Sequence, residues 1–348
     1  VIKAVDDYAD LMRISVAGAG NDHRLGGNEA PPAIVSIFLG DELTEVLKSI
    51  EEDRYFGKHE TIQMDIGAHV LPHFTKDNTD RNRTSPFAFT GNKFEFRMLG
   101  SSTSVSNPNM VLNAAVAEAL AQFYEELKEA EPGHMEEAVH ELIKRAIRKH
   151  KKVLFNGNGY TEEWVEEAKR RGLYNLASTP EALKEFISDK NVKLLTEHHI
   201  FTKEEIFSRY EILLENYVKT IEIEAKTMHE MLAKDFLPAV SAYSAEVAKN
   251  AAAKKAFMPS VSTASEEELV SSLSGAYEAL SSGLESITEV LAQIQAKEEE
   301  SMQDAANACL NEMLPLMDTL RKTADEAESK IPDEYLPYPT YDQLLFSV

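Results

Sequence analysis

Residues 91–98 constrain the fold most strongly, because charged and apolar side chains alternate along them. Successive side chains on a β-strand point to opposite faces, so Lys93, Glu95 and Arg97 would share one face of such a strand. The opposite face would carry the apolar side chains of Phe94, Phe96 and Met98. The pattern therefore predicts a strand with one core-facing side and one charged side. The charged row is either a solvated surface or part of a binding site.

A hairpin is predicted around this strand. Residues 87–89 form a short apolar run, and residues 90–92 are typical of a turn. The polar loop of residues 76–86 precedes the hairpin, and its Arg81 and Arg83 can bind oxyanions at the mouth of the turn. A solvated loop is the alternative.

Further upstream, residues 60–66 alternate in the same way and predict another strand. His69 and His73 follow with the spacing of zinc-binding helices. Pro72 lies between them and disfavours a helix, so ordinary loop histidines are the preferred interpretation.

A glycine-rich loop occupies residues 17–32, and an apolar strand is predicted to follow it at residues 33–39. The loop lacks the glycine and lysine spacings of the known phosphate-binding loops. Its polar residues are more informative: Arg24 can form a forked pair with a carboxylate, and Glu29 can accept a proton or bind a cation. A structured polar turn is the alternative.

The remaining sequence is dominated by helical periodicity. The first amphipathic helix is predicted from the apolar positions Ile2, Val5, Ala9, Met12 and Val16. A second helix is predicted to begin with Asn107 as its cap and Pro108 in its first turn. Its buried stripe would comprise Leu112, Val116, Leu120, Phe123 and Leu127.

After residue 131 nearly the whole chain is predicted to be helical. Thr202 with Glu205 and Ser265 with Glu268 have the spacing of capping boxes, each before a long apolar stripe. Pro315 should interrupt a later helix. These stripes favour a helical bundle, and the tail of residues 332–348 is expected to dock on another surface.

The composition excludes several classes of protein. A net charge of −23 and a sequence pI near 4.9 oppose binding to nucleic acid. No apolar run approaches the ~20 residues that a membrane helix needs, and the single cysteine, Cys309, excludes an intrachain disulfide framework. We therefore expect a cytoplasmic protein without membrane or nucleic-acid partners. The abrupt start, without an initiator methionine, suggests a segment of a longer polypeptide.

The ordered motifs resemble the second half of a glutamine synthetase active site, and the closer match is the large type III branch. The first part of the resemblance lies in the loop, at residues 19–26 and 28–32. The second part is the run from Asp80 to Arg97, followed by Asn107 and Pro108. These motifs cover residues 1–125, and the helical remainder is similar to the C-terminal extension of that branch.

The resemblance implies ATP-dependent amidation of glutamate by ammonia through γ-glutamyl phosphate. It implies that Arg24 binds the glutamate carboxylate, and that Glu29 takes the ammonium proton and shields the intermediate from water. Glu95 would bind the divalent metal, Mg²⁺ or Mn²⁺, near ATP. The residues implied to contact the ATP phosphates are Arg83, Lys93 and Arg97, of which Arg97 would lie nearest the transferred group and act in catalysis.

An α+β fold follows from this resemblance. Residues 1–131 would be the C-terminal part of a catalytic β-sheet domain, and residues 132–348 a mostly α-helical C-terminal domain with a docking tail. The helical part is expected to drive assembly into a large ring-based homo-oligomer such as a dodecamer. A segment with half a site should be inactive by itself. A related carboxylate–amine ligase, a guanidine kinase on the same scaffold, or a non-enzymatic structural relative remain as alternatives.

Overall fold

The structure is a computed structural model that describes residues 1–26, 29–54, 85–131 and 133–346, together with the backbone of residues 63–64 and 74–75. The predictions for His69, His73, Arg81 and Arg83 lie outside these ranges. Of the strand predicted at residues 60–66, the described part is Gln63–Met64, which pairs antiparallel with Phe74–Thr75. None of the described helices combines the length and apolar character needed to cross a bilayer.

The chain divides into two compact units, Val1–Leu213 and Leu214–Val348. Unit 1 contains helices α1 to α8 and begins helix α9, which continues into unit 2. These helices are α1 (Ile2–Ile14), α2 (Ala19–Asp22), α3 (Gly40–Glu51), α4 (Ser106–Leu127), α5 (Met135–His150), α6 (Glu162–Arg170), α7 (Thr179–Phe186), α8 (Asp189–Glu197) and α9 (Lys203–Met231).

The boundary between the compact units does not coincide with residue 131, where the two domains were predicted to meet. The reason is that α5 packs on α1 and α3, and α7 also packs on α1, so the first helices after residue 131 share a core with the preceding ones. The division by family domain stays a prediction, because compactness alone does not test it.

A small mixed sheet lies in unit 1. Strand β1 (Ile37–Phe38) runs parallel to β4 (Phe87–Phe89), and β4 pairs antiparallel with β5 (Phe94–Phe96). The strands β2 and β3 are the separate pair at residues 63–64 and 74–75. β1 is shorter than predicted: residues 33–36 are buried but lie outside the strand, and Ile34 packs with Trp164 and Ala168 of α6.

The start and the buried face of α4 differ from the sequence prediction. The helix begins at Ser106, so Asn107 lies inside the first turn, while the Ser104 hydroxyl accepts a hydrogen bond from the Ser106 N–H at 3.3 Å. Its fully buried side chains are the small ones at Val111, Ala114, Ala115 and Ala119. Small residues let α4 pack closely on α1, and the larger Leu120 is consequently 62% exposed.

Unit 2 is built from long helices. After the end of α9 these are α10 (Leu237–Phe257), α11 (Ala264–Glu298), α12 (Met302–Ala308), α13 (Leu314–Glu328) and the short α14 (Tyr341–Leu345). The buried residues of α11 include Leu273, Leu280, Ile287 and Ile294, which are seven residues apart and form one seam.

The helix starts and interruptions predicted for this region are confirmed in part. The capping box of Thr202 and Glu205 is confirmed by hydrogen bonds of 2.8 and 3.2 Å. The second predicted box is wrong, because α11 begins at Ala264 and Ser265 lies inside it. Pro315 follows a π-helical segment, Cys309–Met313, where the backbone adapts to the missing N–H of proline.

Candidate active site

The charged row on β5 has the geometry that the alternating sequence predicted. The Glu95 carboxylate lies 3.0 Å from the Lys93 ammonium and 3.0 Å from the Arg97 guanidinium. The register of β4 and β5 pairs Phe87 with Phe96 and Phe89 with Phe94. These aromatic rings therefore lie together on the face opposite the charged row. The ring centroids of Phe89 and Phe94 are 5.2 Å apart. Aromatic packing on one face thus fixes the positions of the charges on the other.

The turn of the hairpin contributes a fourth polar group. Gly91 has a φ of +93°, which glycine adopts without the steric cost that a Cβ brings. The Thr90 N–H donates to the Lys93 carbonyl at 2.9 Å and closes the turn. The Thr90 hydroxyl lies 3.4 Å from the Glu95 carboxylate, so Glu95 is surrounded by donors.

The second cluster lies on the glycine-rich loop, where Arg24 and Glu29 form a forked ion pair. Arg24 Nε and Nη2 each donate to a different oxygen of Glu29, both at 2.6 Å. The remaining nitrogen, Nη1, donates to the hydroxyl of Ser101 at 2.7 Å. The side chains of Arg24 and Glu29 are 29% and 58% exposed, so the pair lies at the protein surface. Two residues predicted to act on the same substrate therefore contact each other.

The loop lies beside the end of the hairpin. The Asn21 side-chain amide donates to the Leu99 carbonyl at 3.2 Å and to the Val16 carbonyl at 2.7 Å. Because Leu99 and Ser101 follow β5 directly, these bonds hold the loop next to the strand that carries Glu95 and Arg97. The structure thus brings the two predicted clusters to neighbouring segments of unit 1.

The charges around both carboxylates keep them ionised. Hydrogen bonding from Arg24 lowers the pKa of Glu29 below its usual range. Hydrogen bonds from Lys93 and then Arg97 lower the pKa of Glu95 in the same way. The pKa of Arg24 is raised by its hydrogen bonds to Glu29. Both glutamates therefore carry a negative charge at neutral pH, as a cation ligand or a proton acceptor requires.

Sequence reasoning did not identify the residues that hold the loop in place. Asp22 accepts hydrogen bonds from Arg13 of α1 and from Thr179 of α7, and Ser101 contacts Arg24. Asp22 stands two residues before Arg24 in the loop motif, which is the one sequence signal that pointed to it. Nothing in the spacing of Arg13, Ser101 or Thr179 indicates that they meet this loop.

A divalent cation fits Glu95 only as one ligand of a larger set. The carboxylate is ionised and offers hard oxygen atoms, which suits Mg²⁺. Among the described residues, however, the groups of three potential ligands are Asp6, Asp7 and His150, and Asp53, His140 and Glu141. Neither includes Glu95, so its further ligands would come from phosphate oxygens or from outside the described ranges.

Side chains of the protein itself contact those two other groups. His150 Nδ1 lies 2.7 Å from Asp6, and Lys3 pairs with Asp7 at 2.6 Å. Lys144 forms an ion pair with Asp53 in the second group. The contacts of His150 with Asp6 and of Lys144 with Asp53 therefore tie α5 to α1 and to the segment that follows α3.

The comparisons with known proteins agree with the motifs. Residues 138–255 match the family described as Glutamine synthetase C-terminal domain. A glutamine synthetase from Butyrivibrio fibrisolvens is 48% identical over 356 residues, which cover 100% of this chain and 49% of the relative. A type-3 glutamine synthetase from Dictyostelium discoideum is 42% identical over 349 residues, covering 99% of this chain and 48% of the relative.

A glutamine synthetase from Bacteroides fragilis is 35% identical over 358 residues, covering 100% of this chain and 49% of the relative. The chain therefore spans about half the length of the curated relatives it matches. The similarity extends through both compact units and includes the loop and the hairpin. The resemblance to glutamine synthetases, including a type-3 member, is therefore confirmed over the whole length of this chain.

Proposed function

We propose that this chain supplies part of the active site of a cytoplasmic glutamine synthetase, which joins ammonia to glutamate at the expense of ATP. In the first step a γ-carboxylate oxygen of glutamate attacks the terminal phosphorus of ATP, and ADP leaves. In the second step ammonia attacks the γ-carbonyl carbon, phosphate leaves, and a proton is lost from nitrogen. The observation that carries the proposal is the forked Arg24–Glu29 pair beside the charged strand.

Arg24 is the proposed site for a glutamate carboxylate. Its guanidinium already holds a carboxylate, that of Glu29, through two parallel hydrogen bonds. A substrate carboxylate can replace Glu29 on the same fork with the same geometry. Ser101 would keep the guanidinium oriented during the exchange through its bond to Nη1.

Glu29 is the proposed proton acceptor and gate. Once released from Arg24 it remains on a surface loop with Gly26 at a φ of +84°, a conformation open to glycine. An ionised carboxylate placed over bound glutamate would attract ammonium, take its proton and exclude water. The ion pair with Arg24 is then the state before glutamate binds.

Arg97, Lys93 and Arg83 are the proposed partners of the ATP phosphates. The guanidinium of Arg97 can form two parallel hydrogen bonds with a phosphate, whereas the ammonium of Lys93 offers a compact charge. The Lys93 side chain is 65% exposed and therefore accessible to a ligand. Glu95 would hold Mg²⁺ or Mn²⁺, which supplies positive charge against the phosphates when bound. The described residues of the hairpin would thus bind the phosphates and hold the cation.

The helices after residue 131 are proposed to take part in assembly into a large ring-based homo-oligomer. The observation in favour is the end of the described chain, where Tyr341 of α14 and Phe346, which follows this helix, are 85% and 79% exposed. Solvent-exposed aromatic side chains are typical of contact surfaces. Light scattering on a full-length protein truncated before Glu131 tests this role, since an unchanged oligomeric mass would exclude it.

The catalytic proposal is tested by Glu29→Ala in a full-length protein that carries this segment. Single-turnover measurement should show γ-glutamyl phosphate forming while glutamine formation is impaired. Glu125→Ala is the matched control, because Glu125 is also an exposed glutamate in an ion pair, which it forms with Lys128 at the end of α4. Glutamine formation at the unsubstituted rate across ammonium concentrations would remove Glu29 from the mechanism.

Glu95→Ala separates the phosphate side from the glutamate side. It should weaken the binding of both the metal and ATP while the fold is retained, because the only carboxylate of the charged row is lost. Normal metal affinity and activity would remove Glu95 from the site. Assays with polyamines and guanidino compounds in place of ammonia decide between this reaction and a related ligase or kinase.

A further inference from the structure

Asp22 lies where three distant parts of unit 1 meet. Its Oδ1 accepts a hydrogen bond from Arg13 Nη2 at 2.7 Å and another from the Thr179 hydroxyl at 2.9 Å. Its Oδ2 accepts from the Thr179 backbone N–H at 2.6 Å. Thr179 is the first residue of α7, so the carboxylate satisfies one of the helix's unpaired N–H groups and faces its positive end.

Arg13 reinforces this junction from the other side. It is 1% exposed and lies in the last turn of α1. Besides Asp22 it binds the carbonyl of Leu176 through Nε at 2.8 Å, and so ties α1 to the segment that leads into α7. The carboxylate of Asp22 therefore balances a buried positive charge, and removal of Asp22 leaves the Arg13 guanidinium without this opposite charge.

The junction is connected to Arg24 by a very short stretch of backbone. Asp22 ends the helix α2, and the Arg24 N–H donates to the Asn21 carbonyl at 3.0 Å. The Arg24 carbonyl in turn accepts from the N–H groups of Glu29 and Ala30 at 3.2 and 3.0 Å. The position of the whole loop thus depends on where residues 21–22 are fixed.

We propose that Asp22 is a positioning residue for the glutamate site, which clamps the Arg24–Glu29 loop to α1 and α7 and so couples substrate binding to the helical region after residue 131. The inference rests on the proposed function, in which Arg24 binds glutamate. Asp22 itself reaches no substrate, because both its oxygens are occupied by Arg13 and Thr179. The helical region would therefore serve the active site in addition to its proposed role in assembly.

Asp10 offers a matched control. It lies on the same helix as Arg13, is fully buried, and also binds the helical region, through Lys190 at 2.9 Å and Asn191 at 2.7 Å. Its partners belong to α8 and not to the loop. Asp10→Asn and Asp22→Asn therefore make the same chemical change at a buried and a partly buried carboxylate, and only Asp22 adjoins Arg24.

The first measurement is hydrogen exchange in a full-length protein carrying each substitution. Asp22→Asn should speed the exchange of the amides of residues 23–26 and 29–30 and leave those of the hairpin at Phe94 and Phe96 unchanged. Asp10→Asn should leave the loop amides protected. Unchanged loop exchange in Asp22→Asn, or the same loop exposure in both variants, would overturn the clamp.

The second measurement is steady-state kinetics. Asp22→Asn should raise the KM for glutamate about tenfold, as expected when one charge-assisted hydrogen-bonding group is lost. The KM for ATP should stay close to that of the unsubstituted protein. Faster loop exchange with an unchanged glutamate KM would uphold the clamp but contradict Arg24 as the glutamate site, so the two proposals fail separately.

Substitutions of Thr179 keep the inference testable if Asp22→Asn does not fold. Thr179→Val removes the hydroxyl but retains the backbone N–H bond, so it should raise the glutamate KM, by less than about tenfold. Thr179→Ser restores the hydroxyl and should restore the KM. A glutamate KM that rises equally in the valine and serine variants would show that side-chain packing, and not the bond to Asp22, matters there.

Discussion

Helix α11 contains two glycines whose replacement by alanine is expected to have opposite effects on stability. A Cβ at Gly275 would meet no atom within 4 Å, whereas a Cβ at Gly283 would lie 3.1 Å from Leu320 Cγ, 3.2 Å from its Cδ1 and still closer to its Cδ2. Leu320 is 3% exposed and belongs to α13. Of the two glycines of α11, Gly283 is therefore the one at which α13 packs closely against this helix.

The magnitudes follow from two competing terms. Replacing glycine by alanine inside a helix stabilises it by about 1 kcal/mol, which is the whole expected effect of Gly275→Ala. Gly283→Ala has the same gain, but forcing a methyl group into a filled core costs about 1–3 kcal/mol. Since the whole Leu320 side chain, and not one methyl group, is too close, the free energy of unfolding should fall by about 1 kcal/mol.

A double-mutant cycle with Leu320→Ala isolates the contact. Leu320→Ala alone should cost about 2–5 kcal/mol because it leaves a cavity. In that background Gly283→Ala has room for its methyl group and should stabilise the protein by about 1 kcal/mol. The effect of the same substitution thus changes sign.

Urea denaturation followed by far-ultraviolet circular dichroism measures all four proteins and the Gly275→Ala control. Stabilisation by Gly283→Ala equal to that by Gly275→Ala would refute the close approach of the two helices. A cycle in which the two substitutions are additive would show that Leu320 is not the side chain that limits position 283.

Other predictions concern titratable groups and the glutamate fork. Burial raises the pKa of the Cys309 thiol to about 12, so native Cys309 should resist disulfide reagents and react after unfolding; rapid reaction of the folded protein would contradict this. Burial and then the charge of Glu222 raise the pKa of Glu298 above its ordinary value, so the folded state holds this proton to higher pH than the unfolded chain does. The stabilising contribution is present at low pH and is lost as the pH rises through the folded-state pKa. Glu298→Gln, which stays neutral, should therefore gain in urea midpoint relative to the unsubstituted protein as the pH is raised; a difference that is constant with pH would argue against the shift. Arg24→Lys should raise the KM for glutamate more than that for ATP, because a point charge cannot replace a fork, and equal changes would count against Arg24 as the glutamate ligand.

Local sequence patterns predicted those elements whose cause lies within a few residues. The β4–β5 hairpin follows from strict alternation and the turn at Gly91, and the box of Thr202 and Glu205 follows from complementary side chains three residues apart. Helix starts were predicted less accurately where several neighbouring hydroxyl and amide side chains could each act as the N-cap. Neither Asn107 nor Ser265 caps its helix, because each is the second residue of the helix that it was predicted to cap.

The sequence by itself determined the chemistry available to this protein: a row of Lys93, Glu95 and Arg97 on one strand face, and an arginine and a glutamate five residues apart on a glycine-rich loop. Periodicity of side chains is enough to place charges on one face, because it depends only on the backbone repeat. Only the tertiary structure decided that Arg24 and Glu29 pair, that Ser101 holds the same guanidinium, and that Asp22 anchors the loop. Asp22 and Thr179 are 157 residues apart, and contacts across such a separation depend on how α1 and α7 pack, which no local pattern specifies.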